Sequence, residues 1–290
     1  KIDLDYVKQT FYDEELVNAR IPTTDGMSTT NGDAYYCLDN FKHIGGTGVN
    51  FKAGLIFKPI NEFRLGFAVH TPTYYDLRHD FDAVTEFNYS SGIDNYDYTE
   101  VAIFNSKLNT PWRIMASAAG VIGGRAILSF DYEYNAYNDM VVKNDYGYTD
   151  DDVSRDIDRY FKGQNIFRVG AEFRVTPKFS VRAGYNYQMS NVNDDAQDGS
   201  DYIYTSGTDP SYIFDNKTQY ITCGLGLRTG GFYIDAAFVH KNRESEFHAF
   251  SRYGLEPGEA YKLPLNAPIA PKATIKDNNN SIVLSVGYKF

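Results

Sequence analysis

The sequence predicts an all-β protein, an antiparallel up-and-down transmembrane β-barrel with lipid outside and water inside, and three observations carry that expectation. The first is period. Between Thr110 and Tyr137, Trp112, Ile114, Ala116, Ala118 and Ile122 share one parity, while Arg113, Ser117 and Ala119 fall on the other. Across Gly123-Gly124, whose glycines can take the positive φ of a two-residue hairpin turn, Ala126, Leu128, Phe130, Tyr132 and Tyr134 alternate with Ser129, Asp131, Glu133 and Asn135. A soluble sandwich buries its apolar face and wets the other. Here the second face holds acids and a mid-strand arginine, which suits a water-filled lumen. The second observation is composition: 25 Tyr and 20 Phe against one Trp supply the aromatic girdles a barrel needs at both membrane interfaces. The third is that no run approaches the ~18 continuous apolar residues of a membrane helix. Spanning, if it occurs, falls to closed β-structure, which alone satisfies every backbone group in hydrocarbon.

Charge and cysteines narrow the class further. A net charge of −10 with no basic patch excludes nucleic acid as a partner. Cys37 reads as a loop residue and Cys223 as a strand residue on the apolar parity beside Ile221 and Leu225, so no disulfide is expected. Lys1 to Thr10 has neither the basic start nor the apolar core of a signal peptide. The expectation is therefore that a signal has been removed or that the N-terminal part of the protein lies outside this sequence.

In chain order, residues 1–45 show turn chemistry (TTDGMSTTNGD) and no clear strand. They are expected to form a long extracellular loop, with a short helix around Glu14 to Ala19. Residues 46–290 are expected to supply the transmembrane strands. Val49, Phe51, Ala53, Leu55 and Phe57 begin the alternation, and a tight turn at Pro59 to Glu62 leads into Phe63, Leu65, Phe67 and Val69. A long polar connection follows, then a strand within Thr99 to Val121 and the hairpin already described. Val141 to Lys162 is a long acidic connection holding a possible helix, DDVSRDIDRYF. Ile166 to Val175 turns at Thr176-Pro177-Lys178 into Phe179 to Gln188, and Gln219 to Arg228 turns at Thr229-Gly230-Gly231 into Phe232 to His240. A Pro-containing loop precedes the last strand, Ser281 to Phe290. The total is about nine strands, with every tight turn on one side and every long loop on the other, as in barrels with periplasmic turns and extracellular loops.

The ending SIVLSVGYKF puts Ile282, Leu284, Val286, Tyr288 and Phe290 on one face and closes on an aromatic residue. This resembles the signal by which bacterial outer-membrane barrels are recognised by the barrel-insertion machinery. In water such a strand would be an aggregation liability. The order of segments GVNFKAGLIFKPINEFRLGFAVHTP, NTPWRIMASAAGVIGGRAILSFDYEYNAY, FRVGAEFRVTPKFSVRAGYNY and YITCGLGLRTGGFYIDAAFVH resembles the C-terminal portion of the FadL/TodX family, outer-membrane transporters of long-chain fatty acids and aromatic hydrocarbons. The residues that carry the resemblance include Pro111-Trp112, Asp131 to Tyr134, Gly170-Ala171-Glu172 and Arg182 to Tyr185. The Tyr-rich, Lys-containing version resembles the branch found in Bacteroidetes-like bacteria.

That resemblance implies a barrel of roughly fourteen strands behind an N-terminal hatch, of which the hatch and about five strands would lie outside this chain. It implies that residues 1–45 and 76–98 correspond to the two extracellular loops whose apolar groove first captures substrate. The implied function is passive uptake of hydrophobic small molecules across the bacterial outer membrane. Partners would be the lipid bilayer, lipopolysaccharide and the hydrophobic ligand, with no cofactor. Candidate groove residues are Tyr6, Phe11, Tyr12, Leu16, Tyr74, Tyr75, Leu77 and Phe81, aromatic and aliphatic bodies suited to a ligand with one polar end. Candidate carboxylate anchors inside are Arg113, Arg168 and Arg182. The plainer reading is that inner-face charges neutralise one another across the lumen. His43, His70, His79, His240 and His248 show no metal-ligand spacing. The Asp-rich stretch Asn191 to Asp201 lacks the regular acids and terminal Glu of a calcium loop. Two alternatives stay open: a structural or adhesive barrel whose loops bind a partner, and a barrel enzyme with a His-acid pair at the rim.

Overall fold

Alternation at period two becomes two antiparallel sheets in the computed structural model, which describes residues 2–25, 27–98, 102–197, 203, 211–250 and 271–288. The strands are β1 (Ile2–Pro22), β2 (Thr29–Val49), β3 (Lys52–Ile60), β4 (Phe63–His70), β5 (Tyr74–Tyr89), β6 (Asp94–Tyr98), β7 (Ala102–Asn109), β8 (Arg113–Ile122), β9 (Ala126–Asn135), β10 (Val141–Asn144), β11 (Gln164–Arg174), β12 (Phe179–Gln188), β13 (Tyr212–Thr229), β14 (Phe232–His248) and β15 (Lys272–Tyr288). Nine of them form one sheet in the order β15-β14-β13-β12-β11-β9-β8-β4-β3, and β1-β2-β5-β7-β10 form a second, with β6 added on β5. Every pairing is antiparallel.

The nine-stranded sheet contains the strands that the sequence marks, each paired with the next of these nine along the chain. Its tight turns join β3 to β4, β8 to β9, β11 to β12 and β13 to β14. At the β8–β9 turn Gly123 and Gly124 have φ of 56° and 64°, the left-handed region that side chains with a Cβ avoid, so both glycines are required there. At the opposite ends the chain leaves β4 for the second sheet and passes through short helices after β9 and β12. The strands β3 and β15 are the two edges, each with one neighbour among the described residues.

Three expectations are corrected. Residues 1–45 form no long loop. They make the β1–β2 hairpin, and the segment around Glu14 to Ala19 is strand rather than helix. Here Glu14, Glu15 and Leu16 register against Tyr36, Tyr35 and Ala34, and cross-strand pairing overrides the weak helical propensity of so short a run. The polar connection after β4 is likewise ordered as β5 and β6. The strand expected within Thr99 to Val121 is split: β7 belongs to the small sheet and β8 to the large one, with Thr110-Pro111-Trp112 between them. Pro111 has no N–H to give a ladder, so pairing stops there and the chain changes sheet. By contrast, the acidic stretch DDVSRDIDRYF does contain a helix, α1 (Asp151–Tyr160), whose cap residue Asp150 accepts a hydrogen bond from the Val153 amide at 3.1 Å.

Burial separates the sheets. A small cluster of Tyr160, Val192, Ala196 and Ile203 packs α1 against the chain between β12 and β13, with Tyr212 and Phe214 against it. Leu38, Leu77 and Ala83 are buried in the small sheet. None of the buried hydrophobic residues lies on the apolar face of the nine-stranded sheet. There Leu55, Phe67, Phe130, Val169, Leu225 and Ile282 are 61, 47, 46, 50, 52 and 83% exposed. No helix among the described residues is long and apolar enough to cross a membrane.

Candidate functional site

Register fixes the two faces of the large sheet. Phe63, Gly120, Leu128, Ala171, Ala183, Cys223, Phe238 and Ile282 are successive cross-strand partners, so one row of the apolar face runs unbroken from β4 to β15. One row of the polar face joins Arg182, Gly224 and Ala237. Along β14 and β15 the apolar face ends abruptly, where Phe238 and Ile282 give way to His240 and Asn280. His240 Nδ1 and Asn280 Oδ1 are 2.8 Å apart, and Asn242 Nδ2 donates to Asn278 Oδ1 at 2.7 Å.

Two ion-pair clusters hold the middle of the polar face. Arg168 Nη2 donates to Glu133 Oε2 at 2.7 Å, with Glu133 only 5% exposed. Arg182 bridges two carboxylates, donating from Nε to Glu172 Oε2 at 2.8 Å and from Nη1 to Asp235 Oδ1 at 2.6 Å. Gly226 makes the room. A Cβ there would stand 2.7 Å from Asp235 Oδ1 and 2.8 Å from Ser180 Oγ. Of the three candidate anchors, then, two are already neutralised by acids. Arg113 makes no ion pair with a described carboxylate; it is exposed at the start of β8, in register with His70 on β4 and Asn135 on β9. Asp235 and Lys52 are functional-face residues that the sequence analysis did not select. Their signal was available, since each is a charged residue of the polar parity within a strand.

The polar face also carries a recess of about 580 Å³. Gly54, Gly66, Ala68 and Ser117 supply little bulk there, so Ile56 and Met115 form apolar walls, while Asp131 and Arg168 stand at its polar side. Size and lining fall in the range of small-molecule sites.

The groove candidates are distributed differently from expectation. β2 and β5 are hydrogen-bonded side by side in one sheet, pairing Val49 with Tyr74, Gly48 with Tyr75, Gly46 with Leu77 and Lys42 with Phe81. Residues 1–45 and 76–98 therefore meet edge to edge and leave no cleft between β2 and β5. Tyr75, Leu77 and Phe81 share one face of β5, where Leu77 is 7% exposed, whereas Tyr74 lies on the other and is 49% exposed. The backbones of Tyr6, Phe11, Tyr12 and Leu16 lie in β1, and their side chains fall outside the described part. Phe290 lies outside the described residues; Ile282, Leu284, Val286 and Tyr288 are exposed on one face of β15.

Among the described residues no three His, Cys, Asp or Glu side chains gather as a metal site. Fold and site together define an antiparallel all-β chain of two sheets, one of them two-faced, with apolar residues opposite charge. No family model and no curated protein matches the chain.

Proposed function

We propose that the nine-stranded sheet is the wall of a bacterial outer-membrane barrel that admits hydrophobic small molecules, long-chain fatty acids or aromatic hydrocarbons, by passive uptake. The apolar face carries an exposed large hydrophobic residue on every one of its nine strands, among them Leu55, Phe67, Ile114, Phe130, Val169, Tyr185, Leu225, Phe238 and Ile282, where soluble proteins rarely leave extended contiguous apolar patches uncovered, and a bilayer is the solvent that removes that cost. From Phe232 to Phe238, the apolar stretch of β14, the strand advances ~20 Å; at a tilt of ~40° this covers about 16 Å of depth, the greater part of the ~25 Å apolar band of such barrels. The polar face then lines the water-filled interior, and the tight turns point to the periplasm.

The single observation that carries uptake of an amphipathic cargo is the recess among Gly54, Ile56, Met115, Asp131 and Arg168, apolar in its walls and charged on one side. Burial of an alkyl chain contributes about 0.8 kcal/mol per methylene, and the charged side orients the polar end. The test is binding of a fluorescent fatty acid to the protein in detergent micelles. Met115→Asp should weaken binding by at least about tenfold, about 1.4 kcal/mol, with Phe81→Asp as comparison. If Phe81→Asp alone weakens binding, capture occurs on the small sheet; if no acyl or aromatic ligand binds wild type, uptake of such cargo is wrong.

A second reading is favoured by the edge-to-edge pairing of β2 with β5. That pairing builds a six-stranded sheet, not a groove, where substrate capture was expected, and such a sheet suits contact with a macromolecular partner. A barrel whose loops bind a partner would tolerate Met115→Asp without effect.

A further inference from the structure

Where the two sheets meet, three basic side chains fall in one row. Lys52 on β3 is the cross-strand partner of His70 on β4, and His70 is the partner of Arg113 on β8. Adjacent partners in an antiparallel sheet stand about 5 Å apart at Cα, and all three side chains are on the polar face. They line a pocket of about 370 Å³ together with Thr73, Tyr75 and Tyr137. Lys52 and Arg113 make no ion pair with a described carboxylate. The next acid along this face of β9 is Glu133, and Arg168 holds it at 2.7 Å. The row continues through Asn135 on β9 to Gln164 on β11, both neutral, rather than reaching an acid.

Further along the same face Arg168 and Arg182 each sit against carboxylates, and although Arg64 and Arg174 also lack an ion pair with a described carboxylate, neither has a second basic residue as its cross-strand partner. Lys52 and Arg113 flank His70 from the strands on either side of β4, two strand spacings or about 10 Å apart, and an anion held between them offsets the repulsion of the two cations. The remaining lining includes hydroxyls of Thr73, Tyr75 and Tyr137. The Tyr75 ring lies against Gly48, where a Cβ would stand 2.4 Å from Tyr75 Cδ1, so the glycine seats the ring. Thr73 accepts from Asn50 Nδ2 at 2.9 Å through Oγ1, which leaves its own proton for an acceptor.

Taking the polar face as the water-filled side, as above, we propose that Lys52, His70 and Arg113 form a binding site for a dianionic oxyanion of the phosphate class, free or as the head of an amphiphile. Three nitrogen-bearing groups and several hydroxyls offer more donors than one carboxylate has acceptors. A tetrahedral phosphate presents oxygens toward all of them at once. The site lies at the junction through which a solute would pass from the small sheet into the sheet's polar side, so a phosphate held there bridges the two sheets.

The experiment is titration calorimetry of the protein in detergent micelles at low ionic strength, with inorganic phosphate, dodecyl phosphate and acetate as separate titrants. Phosphate should bind, Arg113→Gln and Lys52→Gln should each weaken it at least about tenfold, and Arg113→Lys should recover most of the loss. Arg64→Gln, on the same face of β4 but away from the row, should leave phosphate affinity unchanged. Tighter binding of dodecyl phosphate than of inorganic phosphate supports the site with an amphiphile as its ligand, and equal affinity supports it with the free anion. Absence of phosphate binding, acetate binding as tightly as phosphate, or equal loss in Arg64→Gln would overturn it. Fatty-acid binding that survives Arg113→Gln would show that this site and the recess at Met115 are separate.

Discussion

At the residue scale the large sheet is organised by what small side chains permit. Gly226 leaves the space in which Arg182 reaches both Glu172 and Asp235, so a glycine on one strand sets an ion pair between three others. The partly exposed arginine and its two acids contribute modestly to stability, yet together they leave the polar face with little free charge near Arg182. Opposing faces make a sharper test on β8. Ala118 faces the apolar side, opposite Leu65 and Phe130, and Ala119 faces the polar side, opposite Arg64 and Ser129. The two start as the same residue on the same strand, so only their direction differs. Ala118→Arg should cost about 2–4 kcal/mol in unfolding from lipid vesicles and Ala119→Arg about 1 kcal/mol or less. Equal costs would mean that the apolar face does not meet hydrocarbon.

At the element scale, legibility follows from how each strand is solvated. Each of the nine strands of the large sheet was located where one face is apolar and the other polar, which leaves a period of two in the sequence, whereas the polar extensions of β13 back to Tyr212, of β14 on to His248 and of β15 back to Lys272 were read as loop. Most of β1, β2, β5 and β6 was read as connection because these segments mix Asp, Tyr and Asn on both faces and bury only a few apolar residues, Leu38, Leu77 and Ala83 among them, while β7 was merged with β8 into one strand. Arg113 was selected beside Arg168 and Arg182 because parity places all three on one face; which of them already has a carboxylate depends on neighbours up to 53 residues away, as for Arg182 and Asp235. The small sheet has its own pH dependence. His79 on β5 stacks on Phe104 of β7 at 4.6 Å, and its Nε2 lies 2.7 Å from Ser106 Oγ. Burial pulls its pKa below the ordinary histidine value, with Lys42 acting in the same direction and Asp80 against it. Folded-state His79 therefore binds fewer protons than the unfolded chain just below about pH 6.5. Its stabilising effect is complete above that pH and is lost as pH falls toward the depressed folded value. Amide protection factors in β5 and β7 should drop between about pH 7 and pH 5, and His79→Gln should abolish most of that drop. An unchanged drop in the variant would place its cause elsewhere.

At the scale of the whole molecule the unresolved balance is at the edges. β3 and β15 have one neighbour each among the described residues, and both are exposed on both faces over most of their length. In hydrocarbon every unpaired backbone group costs several kcal/mol, so a sheet of this kind is stable in a membrane only when closed. Under the proposed barrel reading two closures are possible: β3 pairs directly with β15, or further strands stand between them. Nine strands is an odd number, whereas bacterial single-chain barrels have even ones, which favours intervening strands. Disulfide trapping separates the two in a background where Cys37 and Cys223 are replaced by serine. Ala236→Cys with Leu284→Cys joins established cross-strand partners of β14 and β15 and should form a bond on mild oxidation, since a disulfide tolerates only a Cβ separation of about 3.5–4.5 Å. Leu55→Cys on β3, combined in turn with Ile282→Cys, Leu284→Cys or Val286→Cys, should form none within one molecule in lipid vesicles. An intramolecular bond in any of those three pairs would mean that the nine strands close on themselves and that no further strands complete the wall.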